Sequence, residues 1–153
     1  MRDRPRVYID SNVYFYSYVG DSRFGSACRG VLADLQSGLL DGFSSVLVIP
    51  EACNATRKVG RPKDMPAMAS AITSLPLSLV DVTESIATAA TGLALQARAD
   101  PYDGTHAATA FTLGIRTIIS TDTDFDRFAG ITRLDPTSYK SRAGAQSGPS
   151  DVA

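Results

Sequence analysis

The residues of this sequence that could do chemistry are carboxylates, each placed beside an apolar run or at the start of a helix-forming segment. They are Asp10, Glu51, Asp103 and Asp122, with Asp124 two residues beyond the last. Carboxylates that meet in one place repel one another unless cations lie between them. Hard divalent ions prefer oxygen ligands, so the pattern predicts a Mg²⁺ or Mn²⁺ site. Such a site could lower the pKa of a bound water and hold a phosphodiester for attack.

An α/β fold would bring these acids to one place. Short apolar runs predict strands over residues 6–9, 43–49, 77–82, 115–119 and 131–134. The run 43–49 is also compatible with a strand that passes quickly into a helix. Apolar residues at spacings of three and four predict helices over about 22–40 and 83–97. We also expect helices at about 13–18, 50–58, 66–74 and 101–113, with Thr83 and Asp100 as caps and Gly114 as a helix end. This alternation predicts a three-layer α/β/α sandwich with a mainly parallel central sheet.

The sheet explains why the acids should converge. In an open parallel sheet, ligands bind in the crevice beyond the carboxyl ends of the strands. Asp10 ends the first predicted strand, and Asp122 follows the fourth. Glu51 and Asp103 lie at predicted helix starts, whose positive ends favour carboxylates. We therefore expect all four acids at one crevice.

Composition limits the other possibilities. The chain has 153 residues, 44% of them hydrophobic and 20% charged, with a net charge of −1. We expect one domain over residues 1–137 and a flexible tail over 138–153, which is poor in apolar residues. Cys28 and Cys53 belong to no cysteine or histidine cluster, which argues against a zinc site or a disulfide framework. No run is apolar enough for a membrane span or a signal peptide, so we expect a cytoplasmic protein without membrane contact.

Four motifs carry a resemblance to a known family. They are IDSNV at 9–13, IPEACNATRK at 49–58, PYDGTHAATA at 101–110 and STDTDFDRF at 120–128. Together they resemble the PIN-domain nucleases, and among these most closely the VapC-type toxins of prokaryotic toxin–antitoxin modules. The resemblance covers roughly residues 6–135. Ser120 stands where threonine is commoner, and Gly104 where alanine or serine is usual; we expect glycine there only to loosen the helix start.

The resemblance implies a function and a set of site residues. It implies a PIN-like endoribonuclease that uses Mg²⁺ or Mn²⁺, cuts RNA, often forms a homodimer and pairs with an antitoxin protein. By position, the four catalytic and metal-binding acids are Asp10, Glu51, Asp103 and Asp122. Asp124 matches a further acid of the last turn, which is either a metal ligand or a turn cap.

Several neighbours of these acids have two interpretations. Asn12 could bond the carboxylate of Asp10 or simply cap a helix, and Ser120 could contact a carboxylate or substrate. His106 lies one turn from Asp103 and could act as a general base, but we expect a neutral histidine packed on its helix or at the surface. We expect Asp126 to be a solvated turn residue or a partner of Arg127. Phosphate contacts compete with a solvated basic face for Arg57, Lys58, Arg61 and Lys63.

Two rival functions stay open at this point. One is a phosphohydrolase with Asp10 as nucleophile, although position 12 holds Asn where that chemistry usually has a second acid. The other is a non-catalytic RNA- or protein-binding module of the same fold, against which the presence of all four acids argues. A covalent phospho-aspartate would support the first, and absence of Mn²⁺ binding would support the second.

Overall fold

The computed structural model describes residues 3–143, in which strands and helices alternate along the chain. The strands are β1 (Arg6–Ile9), β2 (Asp41–Ser45), β3 (Leu77–Val80), β4 (Thr117–Ile119) and β5 (Thr132–Leu134). The helices are α1 (Ser11–Val19), α2 (Gly25–Gln36), α3 (Val48–Lys58), α4 (Met65–Thr73), α5 (Glu84–Ala97) and α6 (Pro101–Thr112). Short 3-10 helices occupy Pro62–Asp64, Thr123–Arg127 and Pro136–Ser138.

The five strands form one sheet in the order β3-β2-β1-β4-β5, and every neighbouring pair is parallel. The chain moves outward from β1 to β2 and β3 and then returns to place β4 on the other side of β1. Strand order therefore reverses between β1 and β4. At such a switch point the connections leave in opposite directions and open a crevice at the strand ends.

The two faces of the sheet are covered by different helices. Val7 and Ile9 of β1 pack with residues of α1, α2, α3 and α4 in one apolar cluster. Tyr8, which points the other way, packs with residues of α5 and α6. Alternation along a strand sends successive side chains to opposite faces, so β1 is buried on both. The predicted three-layer α/β/α sandwich is confirmed.

The apolar run 43–49 is divided between two elements. β2 ends at Ser45, and α3 begins at Val48. Val48, Ala52 and Thr56, four residues apart, form the buried face of α3. The end of the run therefore fits helical burial as well as it fits a strand. Of the two interpretations of this run, the structure shows the strand that passes into a helix.

The C-terminal segment departs from the flexible tail expected from residue 138. Its residues 139–143 bond the buried carboxylate of Asp34 on α2. Tyr139 Oη lies 2.5 Å and Ser141 Oγ 2.8 Å from that carboxylate, and the N–H groups of Arg142 and Ala143 donate to it at 3.1 and 2.8 Å. A buried charge needs such donors, so this part of the segment is held in place. The rest of the predicted tail, 144–153, lies outside the described residues.

None of the helices in residues 3–143 combines the length and the apolar character that crossing a membrane requires.

Candidate functional site

The candidate site lies at the switch point between β1 and β4. The N–H of Asp10, directly after β1, donates to the carbonyl of Ile119 at the end of β4 at a distance of 3.1 Å. This bond brings the residues that follow both strands to the same edge of the sheet. Asp10 is also the N-cap of α1, so a strand end and a helix start fix its backbone.

Both carboxylate oxygens of Asp10 accept hydrogen bonds. Oδ1 accepts from the N–H of Ser11 at 2.7 Å. Oδ2 accepts from Asn12 Nδ2 at 3.0 Å and from Ser120 Oγ at 2.7 Å. Asp10 is only 4% exposed, so these bonds compensate for much of the cost of burying its charge. The carboxylate is held in one orientation.

Asn12 and Ser120 join the two strand ends through their side chains. Ser120 Oγ donates to Asp10 and accepts from Asn12 Nδ2 at 3.0 Å and from the N–H of Asp122 at 2.9 Å. A hydroxyl has one donor and two acceptor positions, and all three are used. Asn12 Oδ1 accepts from the N–H of Thr121 at 3.2 Å. Together the two side chains position Asp10 and the turn that carries Asp122.

His106 is fully buried and links Glu51 to Tyr8 of β1. Its Nε2 lies 2.6 Å from Glu51 Oε1 and 3.7 Å from Asp10 Oδ1. Its Nδ1 lies 2.5 Å from the hydroxyl of Tyr8, which accepts in turn from the N–H of Ser45. The expectation of a surface or helix-packed neutral histidine missed this role. The spacing to Asp103 indicated only that the two residues share a face of the helix; it did not indicate the contacts with Glu51 and Tyr8.

The neighbours of His106 favour its charged form. Burial alone would lower the pKa of His106, but Tyr8, Glu51 and the charge of Asp10 raise it well above its ordinary value. An imidazolium between two carboxylates offsets part of their repulsion. The histidine therefore supplies positive charge at the centre of the acid cluster.

Asp103 has a different environment from Asp10. Asp103 is 8% exposed. Its Oδ2 is one of two buried side-chain nitrogen or oxygen atoms in residues 3–143 that have no hydrogen-bond partner. Burial and the charges of Asp100, Asp122 and Asp10 raise its pKa to about 8. A buried carboxylate oxygen without a partner is costly, and a cation would remove that cost.

Asp122 stands beside Asp103 at the start of the turn after β4. It caps the 3-10 helix Thr123–Arg127 by accepting from the N–H of Asp124 at 2.9 Å. Burial and the charges of Asp124, Asp10 and Asp100 raise its pKa, although the bond from Asp124 acts in the opposite direction. Asp124 itself lies 3.3 Å from Arg127 and so has a cation partner already.

The ligand atoms form two groups, each of which fits one cation. Asp10, Glu51 and His106 make one group, and Asp103, Asp122 and Asp124 make the other; within each group the ligand atoms lie within 4.8 Å of one another. The five carboxylates suit Mg²⁺ or Mn²⁺, whereas a charged His106 offers no lone pair and acts as a cationic neighbour of Asp10 and Glu51. The buried Oδ2 of Asp103 has no hydrogen-bond partner and could accept a cation as its partner. The residues present therefore fit a divalent ion.

Gly104 has a packing role that the sequence does not reveal. A Cβ at this position would lie 2.3 Å from the carbonyl oxygen of Ala90 on α5. Only glycine allows α6 to approach α5 this closely. The expectation that glycine merely loosens the helix start is wrong, because Gly104 sets the distance between α5 and α6, the helix that carries Asp103.

The basic residues lie in different surroundings. Lys58 lines a cleft together with Glu51, close to the acids. Arg57 donates to Asn54 Oδ1 at 2.8 and 3.1 Å. Arg61 pairs with Asp64 at 2.6 Å and lies over the ring of Tyr18, while Lys63 is exposed beyond the end of α3. Only Lys58 of the four shares a cleft with a site acid among the described residues.

Asp126 belongs to neither group of ligand atoms. It pairs with Arg133, with the Nε of Arg133 at 2.9 Å from its Oδ1. The expected partner, Arg127, instead contacts Asp124. Asp126 is exposed and belongs to the surface of the last turn.

Comparisons with known proteins agree on the fold. The family model described as PIN domain matches residues 7–131. No curated protein sequence matches the chain. One similar solved structure is VapC20 of Mycobacterium tuberculosis, described as a toxin that cleaves the sarcin-ricin loop. It has 18% identity and a TM-score of 0.66, with 82% of this chain and 98% of that chain covered.

Two further structures have similar scores. The DNA-bound VapBC of Salmonella typhimurium has 20% identity and a TM-score of 0.65, covering 86% of this chain and 98% of that chain. FitAcB of Neisseria gonorrhoeae has 17% identity and a TM-score of 0.63, covering 87% and 99%. At these identities, the similarity establishes the shared fold.

Proposed function

Because the chain belongs to the PIN domain family, we propose that it is a metal-dependent endoribonuclease and the toxin of a toxin–antitoxin pair. The observation that carries this proposal is the cluster of acids at the switch point, in which Asp103 Oδ2 is buried without a partner. Burying an unpaired carboxylate beside two further acids is costly, and a non-catalytic binding module gains nothing from it. In a metal-dependent hydrolase the same carboxylate serves as a ligand of the ion.

The acids would hold the ions in two groups. Asp103 and Asp122, with Asp124 as helper, would hold one Mg²⁺ or Mn²⁺, and Asp10 and Glu51 would contribute carboxylates to a second, with His106 as their cationic neighbour rather than a ligand. When bound, such ions supply a water of lowered pKa and neutralise the charge that develops on the scissile phosphate.

The chain's own residues keep the ligands in place. Ser120 and Asn12 fix the orientation of Asp10 by direct hydrogen bonds. His106 fixes Glu51 and is itself fixed by Tyr8. Side chains held in this way lose little freedom when a ligand binds, and such pre-organisation favours catalysis. The side chain of Glu51 is 26% exposed, and it lines the cleft that contains Lys58.

The substrate and partners follow from the similar proteins. RNA as substrate is supported by VapC20, whose description names cleavage of the sarcin-ricin loop. An antitoxin partner is supported by the toxin–antitoxin complex from Klebsiella pneumoniae and the VapBC complexes. We further propose a homodimer and a cytoplasmic location, where cellular RNA would be within reach.

The test is RNA cleavage by matched variants. Asp10→Asn and Asp103→Asn keep the size of each side chain and replace a carboxyl group that can bind a cation with a neutral amide. We expect each to lower the cleavage rate in Mg²⁺ or Mn²⁺ at least about 100-fold, because a missing ligand weakens the ion and its electrostatic effect. Asp126→Asn, in the same turn region but paired with Arg133, serves as control and should cleave like the wild type.

Circular dichroism would show that all three variants fold. Full activity in a folded Asp10→Asn variant would contradict the proposed site. Equal loss of activity in Asp126→Asn would mean that the effect is general rather than local.

A further inference from the structure

Tyr102 is exposed next to one of the site acids. Tyr102 is 60% exposed. It is one of three large hydrophobic residues in the range 3–143 that are exposed to solvent. The cap of α6 determines this placement. Asp100 Oδ1 accepts from the N–H groups of both Tyr102 and Asp103 at 2.8 Å. Consecutive residues on a helix point about 100° apart, so Asp103 faces the acids while Tyr102 faces the solvent above α3.

Tyr102 lines two clefts. The larger cleft, of about 620 Å³, is lined by Tyr102 together with Leu47, Pro50, Glu51, Asn54 and Lys58. The smaller one, of about 320 Å³, is lined by Tyr102 with Val46, Leu47, Pro50, Val82 and Thr105. Because Glu51 lines the larger cleft, that cleft is continuous with the acid cluster.

The chemistry of the larger cleft combines an aromatic wall, apolar side chains and one cation. Lys58 is exposed and offers an ammonium to a phosphate. The Oδ1 of Asn54 is already taken by Arg57, which leaves its amide N–H groups for an acceptor in the cleft. Pro50 and Leu47 add apolar contact area around the ring.

A nucleobase of a single strand fits this set of groups. Every base has an aromatic face that stacks on an exposed ring, and stacking is independent of sequence. An acidic peptide would meet the carboxylate of Glu51, and an apolar helix would have to bury Glu51, Asn54 and Lys58. A base pair in a duplex keeps its faces stacked on its neighbours and could not use the ring.

We propose that Tyr102 is the stacking platform for a nucleobase of single-stranded RNA next to the scissile phosphate, with Lys58 contacting a backbone phosphate. This subsite rests on the proposed ribonuclease function and adds to it the form of the substrate. Tyr102 directs the strand so that the adjacent phosphate reaches the acids, and the hydroxyl of the ring is not needed for this.

Binding of a defined strand tests the subsite separately from cleavage. The probe is a fluorescein-labelled 12-nucleotide oligouridine, titrated in Mg²⁺ against proteins that all carry Asp10→Asn, so that the strand stays intact. We expect Tyr102→Ala to raise the Kd about tenfold, as loss of one base–aromatic stack does. Tyr102→Phe should restore binding. Leu95→Ala, at an exposed apolar position of α5 that lines neither cleft, should have no effect.

A fluorescence measurement reports the stack directly. The chain contains no tryptophan, so Tyr102→Trp introduces a single indole at the site. Stacking of a base on it should quench its emission as the strand is added. The same experiment with Leu95→Trp should show no quenching.

The possible results separate the two proposals. Equal Kd values for Tyr102→Ala and its parent, or an unquenched indole, would overturn the subsite, and RNA cleavage by the unaltered chain would still support the nuclease. Displacement of the probe by a duplex RNA at the same concentration as by a single strand would also overturn stacking. If the strand does not bind at all and RNA is not cut, both proposals fail.

Discussion

Asp10 and Asp103 show two ways in which the fold treats a buried carboxylate. Asp10 receives hydrogen bonds on both oxygens, whereas one oxygen of Asp103 receives none. The hydrogen bonds hold the carboxylate of Asp10 in one orientation, and the Oδ2 of Asp103 stays free to bind a cation. A metal centre needs both properties, since its ligands must be oriented and still free to bind.

Asp34 is a third buried carboxylate, and it lies outside the acid cluster. Burial alone would raise its pKa, but the hydrogen bonds from Tyr139, Ala143, Arg142 and Ser141 lower it below its ordinary value. A carboxyl whose pKa is lower in the folded than in the unfolded chain stabilises the fold above its unfolded pKa. That contribution is lost as the pH falls through the folded pKa.

We therefore predict a pH-dependent effect of Asp34→Asn. At pH 7 the variant should lose about 1.5–3 kcal/mol of unfolding free energy, the range for hydrogen bonds to a charged group. Below about pH 4, where the unfolded carboxyl is protonated, the difference from the wild type should shrink. Urea unfolding at several pH values measures it, with Asp81→Asn at an exposed position as control. A difference that stays constant from pH 7 to pH 3 would contradict this account.

The roles of single residues differ in how far the sequence predicts them. The acids could be identified because each follows a strand or opens a helix. The role of His106 could not, because its partners Tyr8 and Glu51 are 98 and 55 residues away in the chain. Spacing along one helix shows which face a side chain shares, and only the fold shows what that face meets.

At the scale of elements, the contact between α5 and α6 positions Asp103. Gly104 brings α6 against the backbone of Ala90. Thr83 caps α5 and Asp100 caps α6, so both helices start at defined points. The first turn of α6 can then deliver Asp103 to the site and Tyr102 to the cleft.

Two glycines on these helices provide a matched test. In Gly104→Ala the new methyl would meet the Ala90 carbonyl, so α6 must shift; we expect a loss of about 1–3 kcal/mol of unfolding free energy and a reduced cleavage rate. In Gly92→Ala nothing lies within 4 Å of the new methyl. That variant should gain up to about 1 kcal/mol from helix propensity and keep its activity. Denaturant unfolding of both variants checks the signs, and a stable, fully active Gly104→Ala variant would contradict the packing role.

Element boundaries were partly predictable. The ends of helices were predictable where a capping residue or a glycine marks them, as at Thr83, Asp100 and Gly114. The run 43–49 allowed two interpretations because β-branched residues can fill a strand or the buried face of a helix. The ordering of residues 139–143 was missed because it depends on one distant carboxylate rather than on apolar content.

At the scale of the whole molecule, the alternation of strands and helices was sufficient to predict the parallel sheet. The order of strands was not predicted. The return of the chain to place β4 beside β1 creates the switch point, and this pairing brings Asp10 within reach of Ser120 and Asp122. The acids are thus far apart in the sequence, and the order of the strands in the sheet brings them together.

The central claim is that these acids form a metal-dependent ribonuclease centre, and one measurement tests it most directly. The purified full chain is incubated with total RNA in Mg²⁺, in Mn²⁺ or in EDTA, and the new RNA ends are sequenced. We predict discrete new ends in the presence of either ion, none in EDTA, and none with Asp10→Asn. Cleavage that proceeds equally in EDTA, or an absence of cleavage in both ions, would contradict the account.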